Sequence, residues 1–224
     1  MNKNIALSSR GIFWKIKFFK YFEIAKINYR NTVTHFTNTL ARSGTVAVRI
    51  WVFTQLYTVT YAVTGAKEIS GLTVAMVVWG LMFTQSFQAA GRPAVSRIIE
   101  NEVKTGALAH SINKTYSYIV FHYFGFMGRN MTRMFFNLFV GFFVSLILVG
   151  PIHFSFSGIF FGFFLLMFGY TLDFLIFFVI GVSAFWIADT SAFTWIYAKL
   201  QMAFGGVILP ITLFPEALQR ITLY

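Results

Sequence analysis

Long apolar segments alternate with short polar ones along most of this chain of 224 residues. Five apolar segments follow residue 44, and each is close to the ~20 residues that an α-helix needs to cross a bilayer. They lie at about 44–65, 71–91, 134–150, 158–181 and 193–213. The pattern predicts an all-α fold, a polytopic bundle with these five segments as membrane spans.

The segments before and between these spans have a mixed aromatic and basic pattern. Residues 1–18 are predicted as an N-terminal cytoplasmic tail, and residues 19–224 as one transmembrane domain. Within 19–36, apolar residues recur at helical spacing and basic residues occupy much of the remainder, which is typical of a helix in the membrane interface. An ordinary cytoplasmic helix is the alternative. A second interfacial segment is predicted over 116–133, where Gly125, Gly128 and Asn130 interrupt the pattern.

Composition and charge support a membrane location. Only 11% of the residues are charged and 30 are Phe, whereas soluble domains carry about 25% charged residues. Of the 18 Lys and Arg, eight precede the first span and six lie between the second and third spans. The positive-inside rule makes that side the cytoplasm, so we expect a multi-pass protein of the cell membrane with a cytoplasmic N-terminus. The net charge of +11 therefore sets topology and does not indicate nucleic acid.

The longest polar interruption between the spans is residues 97–115. Ile99, Val103 and Ala107 recur every four residues, which predicts a short helix with one apolar side. Gly106 predicts a bend, because glycine weakens a helix by roughly 1 kcal/mol relative to Ala. Such a helix suits a groove on a partner protein. The alternative is that it lies on lipid headgroups or caps the spans.

Candidate chemistry within the spans is limited to Arg49, Asp173 and Lys199. The helical rise of 1.5 Å per residue places all three in the inner half of the bilayer, where Asp173 could pair with either cation. The alternatives are an assembly pair with snorkelling cations or a substrate path. The four His show no metal-ligand spacing, and no motif for a catalytic nucleophile is present, so we predict neither a metal site nor catalytic residues.

Two local motifs carry a resemblance to a known family. One is Glu102-Val-Lys-Thr-Gly106-Ala-Leu108, and the other is Gly205-Gly206-Val-Ile-Leu-Pro210 followed by Phe214-Pro215. In this order and topology, residues 19–224 resemble a permease subunit of the ATP-binding-cassette type-2 exporters, in the viologen- or multidrug-exporter-like branch. The chain departs from that pattern at Asn113-Lys114-Thr115, where the branch often has a basic residue followed by Pro. It also stops before an expected sixth span, as if truncated.

The resemblance implies a role for each motif. Residues 97–115 would be the loop that couples the permease to an ATPase, and residues 214–224 would begin an outside re-entrant segment. The implied coupling residues are Glu100, Glu102, Lys104, Thr105, Gly106, Leu108 and Ile112, and the implied re-entrant turn contains Gly205, Gly206, Pro210 and Pro215.

The resemblance also implies the partners. They are a cassette ATPase subunit and a second permease, identical or paralogous, within the lipid bilayer. The chain has no G-x-x-x-x-G-K-[ST] motif, so ATP and magnesium are expected in the partner ATPase, with no cofactor in this chain and no enzymatic activity of its own. The expected function is export of amphipathic or drug-like substrates. A non-transporting scaffold or assembly protein is the alternative. An ion-coupled secondary transporter is less favoured, because no internal repeat is evident.

Overall fold

The computed structural model describes residues 3–91, 94–152 and 155–208, with side chains described from residue 19 onward. These residues form eight α-helices and a 3₁₀ turn at Ser183–Phe185. The helices are α1 (Lys3–Thr34), α2 (Phe36–Thr64), α3 (Val74–Ala90), α4 (Ala94–Lys104), α5 (Ala107–Ile112), α6 (Tyr118–Val149), α7 (Phe156–Val182) and α8 (Ser191–Phe204).

Three stretches are long and apolar enough to cross a membrane, namely Phe36–Thr64, Tyr118–Val149 and Phe156–Phe185. They contain nearly all of the predicted first and third spans and the whole of the predicted fourth span. The predicted second and fifth spans correspond to α3 and α8, which are shorter helices of 17 and 14 residues. The all-helical fold is confirmed, and it indicates a helical membrane protein. The number of five spans stays a prediction.

Helix α6 is the central element of the bundle and packs along α1, α2 and α3. Ser43 Oγ donates to Asn137 Oδ1 over 2.8 Å, and Asn137 Nδ2 donates to the carbonyl oxygen of Ser86 over 3.2 Å, so a buried amide joins α2, α6 and α3. A Cβ on Gly141 would lie 2.8 Å from Met82 Cγ. The missing side chain therefore lets α3 approach α6 closely.

The predicted interruption within 116–133 is wrong, because α6 runs continuously from Tyr118 to Val149. A Cβ on Gly128 would lie 2.5 Å from the carbonyl oxygen of Ala25, and one on Gly125 would lie 3.5 Å from Asn28 Nδ2. These glycines thus make room for α1 and do not break α6. Residues of α1 from Tyr21 to Asn28 lie along the first half of α6.

Much of the predicted apolar face of α1 and α2 points away from the rest of the chain. Phe22, Tyr29, Val33 and Phe36 are exposed, whereas Ala25 packs against α6. An interfacial helix would present such an exposed aromatic face to lipid. The placement of residues 19–36 in the membrane interface stays a prediction.

Helix α7 joins the bundle mainly through its second half. Tyr170, Phe174 and Phe177 are buried there, in one hydrophobic cluster with Ile99 and Phe126. The first half is exposed, and its exposed side chains include Phe156, Phe160, Phe161, Phe164, Leu165 and Phe168. Gly158 and Gly162 lie four residues apart in this half, and neither makes a close helix contact among the described residues.

Candidate functional site

The predicted loop 97–115 contains a helix–turn–helix unit, the hairpin, which consists of α4, a turn at Thr105 and Gly106, and α5. The predicted bend at Gly106 is confirmed. This residue has φ of +72°, a left-handed conformation that favours glycine. The amide of Gly106 donates to the carbonyl oxygen of Val103 over 3.2 Å, and its own carbonyl accepts from the amide of Ala109 over 3.3 Å. The turn ends α4 and starts α5.

The apolar side of α4 is covered by α7. Ile99 is fully buried, and Val103 packs against the same cluster. A Cβ on Gly181 would lie 2.9 Å from Ile99 Cβ and 3.1 Å from Ser96 Cα, so the two helices are in close contact. The chain's own α7 therefore covers Ile99, whereas Ala107 and Ile112 of the predicted apolar side are exposed. Docking of this helix in a groove on a partner stays a prediction.

The two carboxylates of α4 make internal contacts. Glu100 accepts a hydrogen bond from Thr190 Oγ1 over 2.6 Å and one from Lys104 Nζ over 2.5 Å. These hydrogen bonds hold the pKa of Glu100 below its ordinary value, and the bond from Lys104 has a larger effect than the bond from Thr190. Glu102 accepts from the hydroxyl of Tyr118 over 2.7 Å. The base of the hairpin is thereby joined to the start of α6 and to the residue that precedes α8.

The tip of the hairpin, which comprises residues 104–112, is largely exposed. Leu108 is buried and anchors α5, whereas Ile112 is 59% exposed. Of the predicted coupling residues, those exposed at the tip are Lys104, Thr105, Gly106 and Ile112. The structure thus divides the predicted set into base residues, Glu100 and Glu102, and residues that a partner could reach.

Arg49, Asp173 and Lys199 are not brought together. Asp173 is buried, and its Oδ1 accepts from the Tyr197 hydroxyl and from Gln201 Nε2, each over 2.5 Å. Lys199 is exposed, with Nζ 5.4 Å from the centre of the Trp195 ring. Arg49 Nη1 donates to Gln85 Oε1 over 3.4 Å. The predicted pairing of Asp173 with Arg49 or Lys199 is therefore wrong.

Sequence reasoning missed Tyr197 and Gln201, the partners of Asp173. They are four residues apart on α8 and so share one side of that helix, while Lys199 lies between them on a different side. The signal available in the sequence was a pair of hydrogen-bonding side chains, four residues apart, in an otherwise apolar helix.

The predicted turn at Gly205 and Gly206 is present. Helix α8 ends at Phe204, and Gly206 has φ of +67°. The chain then turns back onto the bundle, where Gln85 Nε2 donates to the Val207 carbonyl over 2.8 Å and the Tyr57 hydroxyl donates to the Ile208 carbonyl over 3.0 Å. The predictions that concern Pro210, Pro215 and residues 214–224 lie outside the described residues.

An apolar cleft of about 750 Å³ lies between α3, α6, α7 and α8. Its walls are mostly aromatic and aliphatic, with amide groups at Gln88 and Gln201. Gln201 also binds Asp173, so the buried polar cluster borders the cleft. Phe163 is the side chain of the Phe-rich segment 160–164 that lines the cleft, whereas Phe160, Phe161 and Phe164 do not.

The described part of the chain contains no group of three or more His, Asp or Glu that could hold a metal ion. Comparisons with protein-family models, curated proteins and solved structures find no match for this chain. The class that the fold and site define is a helical membrane protein with an exposed helical hairpin and an apolar cleft.

Proposed function

We propose that this chain is the permease subunit of an ATP-driven exporter, which forms half of a translocation path and is coupled to a separate cassette ATPase. The observation that carries the proposal is the hairpin, whose tip is exposed and whose base contacts helices that line the apolar cleft. Ile99 packs on α7, Glu102 binds the first residue of α6, and Glu100 binds Thr190 immediately before α8.

These contacts give a mechanical route from the tip to the cleft. A partner that displaces the tip also displaces α4, because the turn at Gly106 is short and Leu108 is buried. Helix α4 is in tight contact with α7 at Gly181, and packed interfaces transmit such displacements as rigid units. Movement of α7 relative to α6 would change the width of the cleft between them.

The cleft suits an amphipathic cargo. Its walls are mainly apolar, and Gln88 and Gln201 offer hydrogen-bonding groups at few positions, which is the usual composition of a site for drug-sized molecules. The positive-inside rule assigns the hairpin to the cytoplasm, where a cassette ATPase would bind. A second permease, identical or paralogous, would complete the path.

Co-purification of a co-expressed cassette ATPase tests the coupling role. Ile112→Asp places a charge on the exposed tip. The control, Ile119→Asp, places a charge at an exposed isoleucine outside the hairpin, which is 49% accessible. Loss of an apolar interface contact worth about 1.5 kcal/mol corresponds to roughly ten-fold weaker binding. We expect that loss for Ile112→Asp only.

The same experiment distinguishes the other classes. Binding of a cassette ATPase that both variants retain equally would remove the hairpin from the coupling role. Absence of any such ATPase from the wild-type protein, with its fold intact, would favour a scaffold or an ion-coupled transporter.

A further inference from the structure

A second cavity, of about 230 Å³, lies where α1 meets α2, beside α6. Four arginines line it, Arg42 and Arg49 from α2 and Arg129 and Arg133 from α6. The remaining lining residues are neutral amide, hydroxyl and alanine side chains together with His35, and none is Asp or Glu. The cavity therefore concentrates positive charge contributed by two helices.

Three of these arginines donate hydrogen bonds to neutral side chains, which orient the guanidinium groups but do not balance their charge. Arg42 Nε donates to Asn38 Oδ1 over 2.9 Å, and Arg129 Nη1 donates to Asn28 Oδ1 over 2.9 Å. Arg49 donates to the neutral amide of Gln85. For these three arginines, the described residues supply no carboxylate within ion-pair distance. Grouping cations in a partly buried cavity is unfavourable unless an anion balances them.

The lengths of α2 and α6 would place the cavity near the level of the lipid phosphates. Helix α2 has 29 residues and so is ~43 Å long, whereas the hydrocarbon core is ~30 Å thick. Counting ~20 residues back from Thr64 reaches Thr45, and the same count from the end of α6 at Val149 reaches Asn130. Both helices independently place the cavity at one edge of the core.

We propose that this cavity binds a phosphate group, carried by an anionic phospholipid headgroup or by free phosphate. Guanidinium groups suit this ligand, because their planar N–H forks form paired hydrogen bonds to phosphate oxygens. The volume is several times the ~30 Å³ of one water molecule and so admits a phosphate group. Basic pockets between membrane helices on the cytoplasmic side bind anionic headgroups in the same way. The inference needs α2 and α6 to cross the bilayer, and it does not depend on transport.

The test measures ligand binding to the full chain purified in detergent, by native mass spectrometry. Phosphatidylglycerol, phosphatidylcholine and inorganic phosphate are titrated separately. We expect saturable binding of phosphatidylglycerol in preference to phosphatidylcholine. The double variant Arg42→Gln/Arg49→Gln removes two charge-assisted hydrogen bonds to the phosphate and should weaken this binding by at least ten-fold.

Two further variants keep the result interpretable. Arg30→Gln removes one cation from α1 at a position that is exposed, as Arg42 and Arg49 also are, but that does not line the cavity. It should change the affinity less than about two-fold, because a screened charge outside the cavity makes no hydrogen bond to the phosphate. Arg42→Lys/Arg49→Lys keeps both charges without the planar fork and should bind with intermediate affinity, even if the Gln variant fails to fold.

The arms also separate the sources of the phosphate. Saturable binding of inorganic phosphate with the same dependence on the arginine variants would assign the site to free phosphate, whereas binding of phosphatidylglycerol alone would assign it to lipid. Equal weakening by Arg30→Gln and by the double variants would overturn the proposal, because the basic surface as a whole would then hold the ligand. Equal binding of phosphatidylglycerol and phosphatidylcholine, without phosphate binding, would also overturn it.

Discussion

The contact between α4 and α7 gives the sharpest stability prediction, because a glycine determines it. A Cβ at position 181 would lie 2.9 Å from Ile99 Cβ and 3.1 Å from the Ser96 carbonyl oxygen, a backbone atom. Real Cβ atoms do not approach so closely, so Gly181→Val must push α4 away from α7. Overpacking of this kind costs about 1–3 kcal/mol, and the two additional methyl groups of Val place the expected cost in the upper half of that range.

The matched control is Gly80→Val on α3. Gly80 is an exposed helical glycine, and a Cβ there would meet nothing within 4 Å. Exposed substitutions of this kind stay within about 0.5 kcal/mol. Unfolding in mixed micelles of increasing dodecyl sulfate content, followed by the fluorescence of the five Trp residues, measures both changes. Equal stability of the two variants would refute the close approach of α4 and α7.

Three further predictions concern single side chains. Tyr197→Phe removes one hydrogen bond to the buried carboxylate of Asp173 and should lower the free energy of unfolding by about 1.5–3 kcal/mol, whereas Tyr29→Phe at an exposed position should change it little in the same titration. The pKa of Glu100 is lowered in the folded protein, so its contribution to stability is present above the ordinary Glu pKa of about 4.3 and is lost as the pH falls through the lower folded value. Unfolding titrations from about pH 7 to about pH 3 should therefore show that the stability of Glu100→Gln is less sensitive to acid than that of the wild type. An unchanged pH profile would contradict the contacts of Glu100 with Thr190 and Lys104. Since the chain has no Cys, single introduced cysteines can map the membrane topology with a membrane-impermeant maleimide. Ala109→Cys should react only from the cytoplasmic side and Lys67→Cys only from outside. Labelling of both positions from one side would contradict the proposed membrane topology.

The lengths of the apolar segments predict the helices well where a single segment lies within a single helix. The predicted spans at 44–65 and 158–181 lie almost wholly within α2 and α7. Sequence alone missed that α6 continues through Gly125 and Gly128, because a glycine that ends a helix and a glycine that admits a neighbouring helix look alike until the neighbour is known. Here Ala25 and Asn28 of α1 occupy the space.

The candidate site shows the same limit. Periodicity identified the apolar side of α4, but it could not tell whether a partner or the chain's own α7 covers Ile99. Helical rise placed Arg49, Asp173 and Lys199 at a similar depth, yet depth does not fix the direction in which a side chain points. Lys199 faces outward over Trp195, while Tyr197 and Gln201 of the same helix face Asp173. Contacts between helices, which sequence pattern does not encode, decided both outcomes.

Site-specific photo-crosslinking at the hairpin tip tests the coupling proposal most directly. A photoreactive amino acid replaces Ile112 at the tip or, as the control, Ile119 at the start of α6, both exposed. The protein is irradiated in its native membrane, and crosslinked partners are identified by mass spectrometry. The proposed function predicts that position 112 captures a protein with a G-x-x-x-x-G-K-[ST] nucleotide-binding motif and that position 119 does not. Capture of lipid alone at position 112, with the fold intact, would contradict it.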